Sequence, residues 1–233
     1  MLAARIANAL GKPFGFNFFP RSFPNPAARS GNRRTAFDNI YRLAGWGSDE
    51  SRSGPGSELT RARNYGHVLR ETLREIGAKS LFDAPCGDLN WILPAVEGYR
   101  FIGGDIAPSL VADLRRQFPR LDLRQFDICT DEFPDVDVWH CRDCLFHLPL
   151  NDGLAALRNF SVSPVRWALV TTHLARGPHR NLDIPVGGWR YLDLTKPPYS
   201  LPRPQRLLRD YRFLEFPRYV GLWSREQVAA AVA

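Results

Sequence analysis

The sequence predicts an α/β fold with a doubly wound, mostly parallel sheet of seven strands, preceded by an N-terminal extension. Short apolar segments alternate with amphipathic helical segments along most of the chain, and acidic residues follow several of the apolar segments. A chain of 233 residues can bury one such core without disulfide or metal support. We assign 1–37 to a basic extension rich in proline and phenylalanine, 38–57 to a lid segment and 58–233 to the folded domain.

Helices are predicted where apolar residues recur at a spacing of three and four. The longest covers 57–77, with Ser57 as its N-cap and Gly77 at its end. Shorter helical segments are expected at 91–98, 109–118 and 151–160.

Strands are predicted where short runs of apolar residues lie between these helices. They are expected at 79–84, 100–107, 121–128, 135–141, 166–173, 211–216 and 218–223. In sheets of this kind, ligands bind beyond the carboxyl ends of the strands.

The net charge of +7 is concentrated at the N-terminus, because 1–37 contains six basic residues and no acid, which leaves about +1 for the rest. A basic tail on a nearly neutral domain does not favour a nucleic-acid partner. Leu2, Ile6 and Leu10 share one helical face, as in a transit peptide or a membrane-surface anchor. We favour the alternative, an extension that lays its phenylalanines on the domain, because three prolines follow.

Four cysteines lie in apolar, strand-like segments, which is typical of reduced thiols in a cytoplasmic protein. No run of 18 apolar residues is present, so we expect no transmembrane segment. The oligomeric state is left open by the sequence.

Acidic residues end three successive predicted strands. Asp83 can accept a hydrogen bond from an ammonium or hydroxyl group, and Asp105 stands where an acid binds a ribose diol. Asp127 can accept from an adenine amino group while Ile128 packs on the ring. Gly87 allows close approach of a ligand to the backbone of the first turn. Each acid alone could merely terminate a strand, but the repetition favours an adenosine site.

The turn Asp83-Ala84-Pro85-Cys86-Gly87-Asp88, with "GGDIAPSLV" and "FDIC", resembles the class I S-adenosylmethionine-dependent methyltransferases over 58–233. The segments "IYRLAGWGSDESRSGPGSELT" and "CRDCLFHL" resemble an uncharacterised bacterial subgroup. Pro85 and Leu89 replace two glycines of the family turn, which makes a dinucleotide less suitable. The resemblance implies S-adenosylmethionine (SAM) as cofactor. The cofactor-binding residues that we assign on this basis are Asp83, Ala84, Pro85, Cys86, Gly87, Asp88, Trp91, Asp105, Ile106, Asp127, Ile128 and Cys141.

Methyl transfer by such a family needs alignment of the reacting atoms, and a base only when the acceptor is a hydroxyl. Asp143 and His147 are the candidate bases, with Asp143 slightly preferred; His147 could equally be a buried structural histidine. The pattern "HCRDCLFH" offers zinc-type ligands, but His140 and Cys141 fall on opposite strand faces, so we expect no metal.

The glycine-rich segment 45–57 is interpreted as a lid, or else as a plain connector, and 173–206 as a second wall. Substrate contacts are expected from Tyr41, Trp46, Arg142, His173, Trp189 and Arg190. Aromatic residues among arginines suit a sugar, phosphate or carboxylate-bearing acceptor. The sequence thus predicts transfer of a methyl group to a small-molecule or glycan-type acceptor, at oxygen. Alternatives are transfer to nitrogen of a metabolite or protein, or a non-catalytic SAM-binding module in an assembly.

Overall fold

The computed structural model describes residue 7, residues 9–14, residue 16, and residues 22–28, 32–211 and 217–233. The predicted helical face at Leu2, Ile6 and Leu10 lies largely outside the described residues. Within them, no helix is both long and apolar enough to cross a membrane.

Seven strands form the main sheet of the described chain. They are β1 (Ser80–Asp83), β2 (Arg100–Asp105), β3 (Asp122–Gln125), β4 (Val138–Cys141), β5 (Trp167–Thr172), β6 (Arg206–Arg209) and β7 (Tyr219–Ser224). Their order is β3-β2-β1-β4-β5-β7-β6. The first five are parallel, whereas β7 runs antiparallel to both neighbours. The predicted fold class is therefore confirmed.

Helices cover both faces of this sheet. They are α1 (Arg33–Arg42), α2 (Leu59–Glu75), α3 (Pro108–Gln117), α4 (Leu150–Ser161) and α5 (Arg225–Val232). Successive residues of a strand point to opposite faces, so Leu81 and Phe82 of β1 enter two different cores. Parallel strands bring their carboxyl ends, and the polar residues found there, to one edge of the sheet, where a ligand can bind.

Two helix predictions differ from the structure at the start of α2 and after β1. Ser57 lies in a short 3₁₀ turn instead of capping a helix, and Glu58 precedes the first helical residue. The Leu59 N–H donates to the Glu50 carboxylate (2.6 Å), so the helix start is satisfied by a distant side chain. The helix predicted at 91–98 is only the 3₁₀ turn Leu93–Val96.

One strand of the sheet was not predicted from the sequence. The edge strand of the sheet is Arg206–Arg209, which the sequence analysis did not mark, because only two apolar residues occur in it. The strand predicted at 211–216 falls mostly on residues outside the described chain. The strand predicted at 218–223 is confirmed as β7.

Part of the described N-terminal extension contacts the domain, although Leu10 and Phe14 are exposed. Ser22–Phe23 forms an antiparallel ladder with Trp189–Arg190, and the Phe23 ring lies 5.8 Å from the Trp189 ring. Ala28 is buried with Ala36 and Ile40 of α1. Helix α1 begins at Arg33, so it crosses the predicted boundary between the extension and the lid segment.

Candidate functional site

A cavity of about 310 Å³ opens at the carboxyl ends of β1–β4. Most of the predicted site residues line it, although their chain positions are far apart. From the predicted cofactor set, the lining includes Asp83, Pro85, Cys86, Gly87, Trp91, Asp105, Ile106, Asp127 and Ile128. From the predicted catalytic and substrate sets, it includes Tyr41, Trp46, Arg142, Asp143, His147 and Trp189.

Five predicted residues lie outside this lining. Ala84 and Cys141 are buried in the core, and Asp88 contacts the segment 51–53. His173 is buried, and its Nδ1 accepts from the Leu192 N–H (3.2 Å). Arg190 is fully buried and donates to the Leu148 and Leu145 carbonyl oxygens. The structure does not bring these side chains to the cavity.

The predicted second wall reaches the cavity only through Trp189. Arg176 and Arg180 are exposed, and Asp183 accepts from the Leu150 N–H at the start of α4 (2.8 Å). The arginines of 173–206 therefore do not form the charged acceptor surface that the sequence suggested.

The turn after β1 faces Asp105 at the end of β2. Gly87 has φ +54°, and a Cβ there would collide with the Ser53 hydroxyl oxygen, so only glycine suits the position. Its N–H donates to Asp105 Oδ2 (3.2 Å), and the Ala107 N–H donates to Oδ1 (3.0 Å). Burial raises the pKa of Asp105 to about 6, although these backbone donors act to lower it.

Asp83 belongs to a buried hydrogen-bond chain that the sequence analysis missed. His140 Nδ1 lies 2.6 Å from Asp83 Oδ1, and the Tyr65 hydroxyl lies 2.8 Å from His140 Nε2. Burial raises the pKa of Asp83, while His140 and Arg142 oppose that rise. The two ring nitrogens of His140 thus join Asp83 to Tyr65. Tyr65 is 75 residues from His140, so no local signal links them.

Asp127 forms a salt bridge with Arg33 of the predicted N-terminal extension. Arg33 donates to Asp127 Oδ2 (2.9 Å) and to Asp152 (2.9 Å), while the Cys129 N–H donates to Asp127 Oδ1 (3.0 Å). Helix α1 is thereby held over the end of β3.

Two arginines and two acids form a network beyond β4. Arg142 makes two hydrogen bonds with Asp210 (2.9 and 3.0 Å), and Arg218 contacts Asp143 (3.1 Å) and Asp210 (3.2 Å). Burial acts to raise the pKa of Asp143, but Arg218 and Arg142 together outweigh it and lower that pKa. Both oxygens of Asp143 are engaged, Oδ2 with Arg218 (3.1 Å) and Oδ1 with the Thr171 hydroxyl (3.5 Å), so this carboxylate is less available as a proton acceptor.

His147 has the geometry of an oriented, neutral imidazole. Its Nδ1 lies 2.7 Å from the Gly188 carbonyl oxygen, which fixes the proton on Nδ1 and leaves Nε2 as the acceptor. Its ring lies between Trp46 (4.3 Å) and Phe146 (4.4 Å). Burial lowers the pKa of His147 to about 4, so the ring is neutral at ordinary pH.

Residues 33–57, named the roof here, cover the cavity. Ser51, Ser53 and the Arg52 N–H all donate to the Asp88 carboxylate, at 2.7 to 3.0 Å. The Asp88 N–H in turn donates to the Ser53 hydroxyl (2.8 Å). Contacts of Asp38 with Ser109 and of Tyr41 with Asp113 attach α1 to α3. Asp88, predicted to touch the cofactor, instead joins the roof to the turn after β1.

Among the described residues, no group of three or more His, Cys, Asp or Glu side chains could hold a metal ion. All four cysteines are free thiols, and His140 is engaged with Asp83 and Tyr65.

The comparisons with known proteins identify the fold. No family model and no curated protein matches the chain. Many solved structures do, among them human N-acetylserotonin methyltransferase in complex with SAM, at TM-score 0.58 and 14% identity, covering 95% of this chain and 65% of that one. The chain has the fold of the SAM-dependent methyltransferases.

Two bacterial structures show the same likeness. Magnesium protoporphyrin IX methyltransferase from Synechocystis PCC 6803 with bound S-adenosylhomocysteine (SAH) has TM-score 0.54 and 13% identity, covering 83% of this chain and 95% of that one. The 1,6-didemethyltoxoflavin-N1-methyltransferase of Burkholderia thailandensis, also with SAH, has TM-score 0.53 and 16% identity, covering 72% and 79%. At such identities the likeness concerns the fold.

Proposed function

We propose that the protein is a SAM-dependent methyltransferase that transfers the methyl group to oxygen of a small-molecule or glycan-type acceptor. One observation carries the proposal: the three strand-end acids Asp83, Asp105 and Asp127 and the Gly87 turn line one cavity, and His147 lines it too. The fold shared with SAM- and SAH-bound methyltransferases supports it.

The residues that line the cavity fit the ribose and the adenine ring of this cofactor. Asp105 can accept from a ribose diol, since each carboxylate oxygen keeps a second lone pair beyond its backbone donor. Ile106 and Ile128 offer apolar surface for an adenine ring, and Gly87 lines the cavity beside Asp105. Asp127 is less open, because Arg33 already donates to it.

When bound, the cofactor supplies a methyl group on a sulfonium, which needs no further activation by the protein. The chain's own residues orient the cofactor and the acceptor and keep water away from them. The roof excludes water from the cavity, and Asp83, held by His140, keeps Oδ2 for a cationic group. His147 Nε2 takes the proton of an acceptor hydroxyl, because its Nδ1 proton is fixed by Gly188. This assigns the base to His147 in preference to Asp143.

The alternative of a nitrogen acceptor requires no base, and the alternative of a non-catalytic module requires no polar group opposite the cofactor. The orientation of His147 by Gly188 favours oxygen over both.

Calorimetric titration with SAH tests the proposal. We expect one site per chain, and Asp105→Asn should weaken binding by about 1–3 kcal/mol, since a diol donor then faces a neutral amide. Asp122→Asn is the matched control, because Asp122 begins β3 at the other end of the strands and bonds to Arg124. Absence of SAH binding to the wild-type protein would overturn the proposed function.

A further inference from the structure

The cavity has two chemically different halves. The half beyond β1–β3 carries the three acids and the Gly87 turn, which the proposed function assigns to the cofactor. The half beyond β4 carries Phe146, His147 and Leu148, with Trp189 and the roof residues Phe37 and Trp46. This second half is where an acceptor must bind, because His147 lies there.

A continuous row of rings lines the acceptor half. Phe37 contacts Trp46 (6.5 Å between ring centroids), Trp46 contacts His147 (4.3 Å), and His147 contacts Phe146 (4.4 Å). Trp46 and Trp189 are only half-buried, so part of each indole is open to the cavity. Rings arranged in this way favour another aromatic ring, through offset or edge-to-face contacts.

Three of the arginines that line the cavity are already paired with acids. Among the described residues, Arg33, Arg142 and Arg218 line the cavity and contact four carboxylates, those of Asp127, Asp152, Asp210 and Asp143. Arg52 donates to the Tyr41 and Arg42 carbonyl oxygens. Drawing Arg33, Arg142 or Arg218 away to an anionic acceptor would leave a buried or partly buried acid unpaired, which is costly. A neutral acceptor avoids that cost.

The size of the cavity limits the acceptor further. A volume of about 310 Å³ is at the lower end for small-molecule sites, and the cofactor occupies part of it. A small acceptor suits a cavity of this size better than a glycan chain. A sugar also needs several hydrogen-bond partners, and the acceptor half offers few beyond His147 and the Asp143–Arg218 pair.

We propose that the acceptor is a neutral aromatic hydroxyl compound of the phenol or catechol class, stacked on Trp46 and Trp189 with its hydroxyl toward His147. This inference rests on the proposed function and narrows its acceptor. In the transfer, the oxygen–carbon bond forms as the carbon–sulfur bond breaks, the electron pair of that bond stays on sulfur, and the phenolic proton moves to His147 Nε2. A phenol suits this site because its hydroxyl loses a proton more readily than an aliphatic hydroxyl does.

The test is a binding comparison on the SAH-loaded protein by ligand-observed NMR, with phenol, cyclohexanol and methyl β-D-glucopyranoside as probes. We expect phenol to bind with a Kd of about 1 mM, typical of a ligand with so few atoms, and the other two at least about tenfold more weakly. Trp46→Leu should weaken phenol binding about three- to tenfold, the effect of losing one aromatic contact. Trp167→Leu, another half-buried tryptophan but outside the cavity, is the matched control and should change nothing.

The outcomes separate this inference from the proposed function. The aromatic acceptor is overturned if the SAH-loaded protein binds the glucoside or cyclohexanol as tightly as phenol. It is also overturned if the SAH-loaded protein binds none of the three probes. In both cases the cofactor assignment stands. If SAH itself does not bind, the proposed function fails first. Methylation of catechol by the wild-type protein with SAM carrying a labelled methyl group, lost in His147→Gln, would support the full proposal.

Discussion

The two halves of the cavity are built differently. The proposed cofactor half contains acids at or just beyond the carboxyl ends of β1, β2 and β3, so its geometry is fixed by the sheet itself. The acceptor half is assembled from the roof, the turn after β4 and Trp189, which meet only through long-range contacts. The comparison shows that the strand-end acids are held by backbone topology, whereas the proposed acceptor half is held largely by contacts between side chains.

The largest effect is expected in the acceptor half, at the base. His147→Gln should lower turnover of a hydroxyl acceptor about 10²–10⁴-fold while SAH affinity stays nearly unchanged, because Nε2 meets only the acceptor. Steady-state kinetics with calorimetry measures both. His67→Gln, an exposed histidine on α2, is the matched control.

The pH profile sharpens this assignment. His147 has a pKa of about 4 and is deprotonated above it, so wild-type turnover should not fall between about pH 8 and about pH 6. If Asp143→Asn lowers turnover more than His147→Gln does, the base is Asp143 and our assignment is wrong.

A smaller effect is expected in the cofactor half, from Asp105. Its pKa of about 6 means that the carboxylate becomes protonated as the pH falls below that value, and a protonated group accepts less well from a diol. SAH affinity should therefore drop about five- to tenfold from about pH 7.5 to about pH 5. The pKa of Asp83 is also raised, so its protonation changes SAH affinity in the same direction. The informative quantity is therefore the difference in the pH dependence of SAH affinity between the wild type and Asp105→Asn. Identical pH profiles for the wild type and this variant would contradict the role of Asp105.

The smallest effect concerns the contact between the two halves, at Arg33. Arg33→Met removes the pairing with Asp127 and Asp152, a partly exposed interaction of about 0.5–1 kcal/mol. Both association and dissociation of SAH in stopped-flow experiments should become about two- to fivefold faster, because the roof opens more readily. Arg34→Met, at the exposed neighbouring position, should leave both rates unchanged. Equal rates in the two variants would mean that Arg33 does not hold the roof.

The sequence was most informative where structure is local. An acid after an apolar run marks a strand end, and parallel strands bring such ends together, so the placement of Asp83, Asp105 and Asp127 was predictable. Contacts between distant segments leave no such pattern. Arg33 and Asp127 are 94 residues apart, and Tyr65 had the spacing of an ordinary core residue of α2.

Charge in a loop was a misleading signal for Arg190. Its guanidinium is buried and donates to the carbonyl oxygens of Leu145 and Leu148, which flank His147 in the turn after β4. These hydrogen bonds support the position of His147. The sequence shows the charge but not the carbonyl groups that it satisfies. The edge strand β6 was missed for a related reason, since a short, half-exposed strand needs little apolar sequence.

A crystal structure of the protein with SAH tests the central claim most directly. We predict that the ribose hydroxyls lie within about 2.6–3.0 Å of the Asp105 carboxylate. We further predict that the sulfur faces the acceptor half, toward His147 and Trp46. SAH bound elsewhere on the protein, or bound in the cavity with its sulfur turned away from His147, would contradict the division of the cavity into a cofactor half and an acceptor half.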